Sequence, residues 1–298
     1  MEEWSCIERQ MKNCRWIIHL QKDTKRLLII STIFATLEHI LAKILGLISV
    51  MECDGFEYIN LASFFKYLPQ SSAFNIFRRG ILSDIINLIV DTQLTFSWTF
   101  VHVFLIIMCK AMTNVLKQVT EKIKNAAKAE IEAEHVWRTL REDYNRVSRL
   151  CRVMNNKLDL LVLFSFSTNL IFILLQLFNS LRPMKNNLER VYFYYSFAFV
   201  ILRAVFVCLY GAEIYEEGRR PLEVLNKVSD KIYNQEIERL ILQIGTTDIA
   251  LTGRSFFIVT KSLILKIAGA IVSYELVLIQ FNEDFLKNIS DKSVVCST

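Results

Sequence analysis

Five long apolar stretches alternate with charged segments along the chain, near residues 27–50, 87–108, 158–181, 191–215 and 255–281. Each is close to the roughly 20 residues that an α-helix needs to cross a bilayer. The second and fourth carry single charges, Asp91 and Arg203, and Lys261 and Lys266 lie in the first half of the fifth. Between them the pattern changes without becoming loop-like. Residues 109–157 contain neither Gly nor Pro, and Trp137, Tyr144, Val147 and Leu150 recur at helical steps. That periodicity predicts a helix continuing the second stretch and returning into the third. After Pro221, the run Leu222, Leu225, Val228, Ile232, Ile237, Leu240 and Ile241 reads as helix again, ending near Gly245. No apolar run precedes residue 27, and Glu2 and Glu3 follow Met1, so no signal peptide is expected.

Composition supports a membrane protein. Of 298 residues, 53% are hydrophobic; Phe occurs 21 times, Gly 8 times and Pro 3 times. The net charge of +5 reflects where the basic residues sit. Residues 1–26, 109–157 and 216–254 hold 23 Lys and Arg, whereas the segments that would face the other side hold 8: Lys66, Arg78, Arg79, Arg182, Lys185, Arg190, Lys287 and Lys292. Basic segments stay on the cytoplasmic side, which predicts an N-terminus inside and a C-terminus outside. The sequon Asn288-Ile289-Ser290 falls on the predicted outer side. A charge distributed in this way is topology, and no nucleic-acid partner is expected.

The polar residues inside the stretches fall on helix faces. Asp91, Thr95, Trp98 and His102 form one stripe; Ser165, Asn169, Gln176 and Ser180 form another; Tyr192, Ser196 and Arg203 align on a third. Glu38 and His39 sit in the middle of the first stretch. Polar groups at membrane depth are costly unless they face a cavity or a protein partner. One reading is a pocket walled by carboxylates, amides and rings, with Asp91, Gln176, Tyr192, Tyr194 and Tyr195 in the outer half. Such a pocket suits a polyol, whose hydroxyls bond the polar groups and whose C–H faces cover the rings. The other reading is that these groups bond one another and hold the helices together.

Motifs for catalysis are missing: there is no GxGxxG, GxxxxGK[ST], HExxH or GxSxG, so no enzyme and no cofactor is expected. The seven Cys residues (6, 14, 53, 109, 151, 208 and 296) show no metal spacing.

The fifth stretch closes on Ser273-Tyr274-Glu275-Leu276-Val277-Leu278-Ile279-Gln280-Phe281. This nonapeptide resembles the C-terminal signature of the insect gustatory receptors: Thr-Tyr, five hydrophobic positions, then Gln-Phe. Ser273 replaces the Thr, and Glu275 occupies the first hydrophobic position. Phe256-Phe257-Ile258-Val259-Thr260-Lys261, Ala268-Gly269, Glu38-His39 and the stretch Trp137 to Leu150 are similar to the sugar-receptor branch in particular.

The resemblance implies a seven-helix gustatory/odorant receptor channel subunit, of which these five stretches would be the last five, the first two helices lacking. It implies a plasma-membrane location and a homo- or hetero-tetrameric cation channel in membrane lipid, gated by a sugar, with the last helix lining the pore. The expected organisation is a cytoplasmic segment 1–26, a four-helix ligand-binding region 27–215 containing the cytoplasmic loop 109–157, a cytoplasmic helical loop 216–254, a pore helix 255–281 and an extracellular tail 282–298. The expected ligand residues are Glu38, His39, Asp91, Trp98, Asn169, Gln176, Tyr192 and Tyr195. The expected pore and gate residues are Ser273, Tyr274, Val277, Gln280 and Phe281, passing monovalent and divalent cations. Two alternatives stand: a non-conducting modulatory subunit, and a small-solute transporter, which the lack of repeats and Pro-broken spans disfavours.

Overall fold

A computed structural model describes residues 15–54, 81–180, 184 and 186–290; within these, only the backbone is described for 15–20, 47, 49–54, 81–84, 87, 278–279 and 281–290. The basic residues Lys66, Arg78, Arg79, Arg182, Lys185 and Lys292 lie outside the described residues. So do the side chains of Phe281, Lys287 and the sequon.

Six α-helices and one small hairpin are described. They are α1 (Arg15–Asp54), α2 (Ile81–Lys128), α3 (Glu134–Ser180), α4 (Asn187–Leu225), α5 (Gln235–Thr246), β1 (Thr252–Gly253), β2 (Phe257–Ile258) and α6 (Lys261–Ser290). Helices α2 and α3 carry the second and third apolar stretches and extend well beyond them, as the periodicity of 109–157 predicts. Among the described residues four segments are long and apolar enough to cross a membrane: Gln21–Gly46, Leu88–Lys128, Glu134–Ser180 and Asn187–Leu225. The sequence pattern predicts a fifth, 255–281. Its residues up to 260 are not helix, and α6 begins only at Lys261. Pro221 also fails to end its helix. It sits in the last turns of α4, which continues to Leu225 although proline cannot donate the helical hydrogen bond to the Glu217 carbonyl. Asn234 starts α5 instead, its side chain accepting from the amides of Glu236 (3.1 Å) and Ile237 (3.0 Å).

The hairpin departs from the purely helical expectation. Thr252 pairs with Ile258 and Gly253 with Phe257, antiparallel. The turn is closed by the Phe256 amide donating to the Gly253 carbonyl (2.9 Å) and places Arg254 (φ 49°) and Ser255 (φ 63°) in the left-handed region. Positive φ at both central residues matches the twist of a hairpin but usually recruits Asn or Gly. Asn155 of α3 holds the first strand, accepting from the Thr252 amide (2.8 Å) and donating to its hydroxyl (2.9 Å).

The chain forms two compact units. Unit 1 comprises Met1–Arg26, Phe104–Thr168 and Ala204–Ile267; unit 2 comprises Leu27–Val103, Asn169–Arg203 and Ala268–Thr298. Unit 1 has an apolar interior containing Trp137, Leu105, Met112, Leu116, Ile123, Ile214, Ile237, Leu240 and Leu251. Polar bonds tie it together: Tyr144 Oη donates to the Gly218 carbonyl (2.9 Å) and Trp137 Nε1 to that of Ile131 (2.8 Å). Glu236, buried at the start of α5, receives Arg141 (2.6 Å) and Arg239 (3.0 Å), with Arg138 at 3.9 Å. Unit 2 has a small apolar cluster of Ile173, Leu177 and Val200, against which Leu174, Phe197, Ile201 and Ile271 pack.

Candidate functional site

Every ligand residue read from the sequence belongs to unit 2, and the structure connects most of them by hydrogen bonds. The first group joins α1, α3 and α4. Ser196 Oγ donates to Glu38 Oε1 (2.7 Å) and accepts from Gln176 Nε2 (3.2 Å). Tyr192 lies one turn earlier on the same face of α4, half-buried. Tyr195 Oη donates to the Phe34 carbonyl (2.9 Å), and its ring stacks on Phe34 and Phe199.

The second group joins α2, α3 and α4, and its proton positions follow from its partners. His102 Nδ1 lies 2.8 Å from the Trp98 carbonyl, which can only accept. Nδ1 therefore carries the proton, and Nε2 accepts from Asn169 Nδ2 at 2.7 Å. That fixes the amide, so Asn169 Oδ1 faces Arg203 Nη2, which donates at 3.4 Å. The Arg203 guanidinium lies over the rings of Phe199 (5.4 Å) and Trp98 (5.8 Å). Trp98 in turn meets Phe172 edge-on at 5.9 Å.

The third group joins α1 and α2. Asp91 is paired with Lys43, so its charge is neutralised inside the protein. Thr92 gives its one hydroxyl proton to the Leu88 carbonyl (2.8 Å) and so accepts from His39 Nε2 (3.2 Å).

Asp91, His39, Asn169 and Gln176 bond within the protein, as helix–helix links do. Arg203 differs: its Nε is buried with no hydrogen-bond partner among the described residues. Two important residues were absent from the sequence-based ligand set, Lys43 and Arg203. The available signal was position. Lys43 follows His39 by four residues in an apolar stretch, and Arg203 shares the Tyr192–Ser196 face.

On α6, Ser273 Oγ donates to the Gly269 carbonyl (3.0 Å), while Val272, Tyr274, Leu276, Val277 and Gln280 are exposed. No group of His, Cys, Asp and Glu suited to a metal occurs among the described residues.

Apolar helices exposing Ile, Leu and Phe around buried polar bonds define a multi-pass helical membrane protein. The backbone is similar to the insect olfactory receptor OR5 from Machilis hrabei. In complex with eugenol that protein superposes with a TM-score of 0.67 over 89% of this chain and 68% of the other, at 15% identity. With a second structure of the same receptor the TM-score is 0.59, at 16% identity. The Trehalose receptor family matches residues 1–292, and this chain belongs to it, among the insect sugar gustatory receptors. Gustatory receptor 5a for trehalose, from Drosophila melanogaster, is 30% identical over 95% of this chain and 64% of its own length. Gustatory receptor for sugar taste 64a of the same organism is 35% identical over 67% of this chain and 43% of its own. The chain therefore spans less than two thirds of the length of these relatives.

Proposed function

We propose that this chain is a taste receptor subunit that binds a sugar within unit 2 and gates a cation channel in the plasma membrane. The relatives are named for trehalose and sugar taste, which supplies the ligand class. The observation that carries the reading is the polar interior of unit 2. Carboxylate, hydroxyl, amide, imidazole and guanidinium groups from four helices converge there, bordered by the rings of Trp98, Phe199 and Tyr195. A sugar needs that combination of directional donors and acceptors with flat apolar surface.

Gating follows as a population shift: a sugar preferring the open arrangement of α1–α4 displaces the equilibrium by its difference in affinity. The pore is assigned to α6, with Ser273, Tyr274, Val277, Gln280 and Phe281 repeated around a tetramer axis. The exposure of Tyr274, Val277 and Gln280 in the single chain supports a surface that other subunits cover. Gln280 would substitute for ion hydration, and Glu283 and Asp284 would draw cations to the outer mouth. The 23-to-8 basic bias supports a cytoplasmic N-terminus and an extracellular C-terminus.

The test is whole-cell recording with a tag after Thr298, stained on intact cells to normalise for surface protein. Trehalose is expected to evoke a cation current, and Gln280→Ala to change its permeation while leaving the half-maximal concentration in place. Surface-stained cells giving no current with trehalose, sucrose or glucose would favour the non-conducting subunit.

A further inference from the structure

Two opposite charges, Glu38 and Arg203, lie in unit 2 without an ion pair to each other among the described residues. Glu38 is held by Ser196, and only its Oε1 has a hydrogen-bond partner among the described residues. Arg203 lies seven residues after Ser196 on the same face of α4, with Phe199 between them. Helical side chains lean toward the N-terminus, so Arg203 reaches back over the Phe199 ring, 5.4 Å from its centroid. Ser196, which bonds the Glu38 carboxylate, stands about two helical turns, roughly 10 Å of rise, before Arg203 on that face. Both charges lie within helices long and apolar enough to cross a membrane, where an unpaired charge is costly.

Arg203 is also poorly satisfied for a residue in an apolar stretch. It carries five N–H donors. Among the described residues it makes one hydrogen bond, the 3.4 Å contact to Asn169, and its buried Nε makes none. A guanidinium in that state is costly inside a membrane protein unless something else completes its bonds. Phe199 and Trp98 stand against it at 5.4 and 5.8 Å, and Asn169, oriented by His102, holds one end.

We propose that Glu38 and Arg203 are the two halves of a split ion pair that a neutral hydroxyl-bearing ligand bridges, Arg203 donating to a hydroxyl oxygen and Glu38 Oε2 accepting a hydroxyl hydrogen. This rests on the reading that unit 2 takes a sugar, and it deepens that reading into a rule of selection. A hydroxyl is donor and acceptor at once and satisfies both halves. An ammonium would match Glu38 but meet Arg203 as a like charge; a carboxylate would match Arg203 but meet Glu38. The pair therefore selects neutral polyols over amino sugars and sugar acids. Asn169 acts here as a positioning residue for Arg203.

The experiment measures binding of three probes to the purified full chain in lipid nanodiscs: trehalose, an amino-deoxy trehalose and a trehalose uronic acid. The unsubstituted protein is expected to bind trehalose at least about tenfold more tightly than either charged analogue. Removing a hydrogen bond from a charged group to a ligand costs on the order of tenfold or more. Arg203→Met is expected to weaken trehalose by about tenfold and to raise the amino analogue relative to it. Glu38→Gln is expected to do the reverse, raising the uronic acid. The double variant is expected to lose little more than either single one, because both remove the same bridge. Should Arg203→Met not fold, as judged by its melting profile, Glu38→Gln with the uronic acid carries the test alone. Unchanged trehalose affinity in both variants, or uniform losses without reordering of the probes, overturns the split pair while leaving a sugar receptor standing. If the unsubstituted chain binds trehalose no better than buffer, the sugar reading fails and the split pair with it.

Discussion

The two units are built on opposite plans. In unit 1 the large side chains Trp137, Tyr144, Met112 and Ile123 are buried, and charges such as Arg138, Glu142 and Arg219 lie outside, while the buried Glu217 and Glu236 are paired with arginines. In unit 2 the order is reversed. Ile29, Ile30, Ile33, Ile89, Leu94, Phe100, Ile171 and Leu175 are exposed, while His102, Asn169, Ser196 and Thr99 are buried. Only five hydrophobic residues of unit 2 are fully buried among those described: Ala35, Val103, Ile173, Leu177 and Val200. Water rewards the first plan by the hydrophobic effect. Lipid removes that driving force between helices and leaves packing and polar bonds to hold them. One helix obeys both rules: α3 runs from the unit 1 core at Trp137 into unit 2 at Asn169 without a break.

The largest effect separating the plans should come from cavity formation. Trp137→Ala in unit 1 is expected to cost about 3–5 kcal/mol, whereas Ile29→Ala on the outer face of α1 should fall within about 0.5 kcal/mol. Melting of both variants in the same detergent checks this; equal losses would erase the distinction. Next comes the hairpin. A Cβ on Gly253 would stand 2.5 Å from the Phe257 ring, so Gly253→Ala is expected to destabilise unit 1 by about 1–3 kcal/mol. Adding Phe257→Ala to it should recover part of that loss, read as the melting point of the double variant.

A smaller change is expected from the polar links of unit 2. Uncoupling Asn169 from His102 in a double-mutant cycle should give about 0.6 kcal/mol, because in lipid the separated groups find other partners. A coupling of several kcal/mol would mean that the link is the main support of unit 2. The smallest effect concerns acid. The hydrogen bond from Arg141, with Arg239 and Arg138 nearby, holds the Glu236 carboxyl below its ordinary value. A depressed carboxylate stabilises the fold fully above its unfolded pKa, and that contribution is lost as pH falls through the folded one. The melting point should therefore drop on acidification below about pH 4.5, and Glu236→Gln should drop less from its own starting value. Identical acid profiles would remove Glu236 from the account.

Much of this was legible from periodicity alone. The apolar stretches, the helical character of 109–157 and the polar stripes each depend on spacing along one helix, which a sequence displays directly. What spacing cannot display is pairing across helices. Lys43 meets Asp91 from 48 residues away and Ser196 meets Glu38 from 158 away, so Asp91 read as an open carboxylate when it is a paired one. The hairpin at 252–258 was hidden for another reason. Its turn uses Arg254 and Ser255 at positive φ in place of Asn-Gly, and Asn155 of α3 fixes its first strand from 97 residues away. Pro221 read as a boundary because proline usually is one; α4 nonetheless continues through it to Leu225.

The central claim is that sugar is held by the polar interior of unit 2. Hydrogen exchange of the full chain in nanodiscs, with and without saturating trehalose, tests it directly. The sugar is expected to slow exchange in peptides covering 27–46, 88–103, 169–180 and 191–203, leaving 134–160 and 235–246 of unit 1 unchanged. Protection confined to unit 1, or none at trehalose concentrations that evoke current, would contradict it.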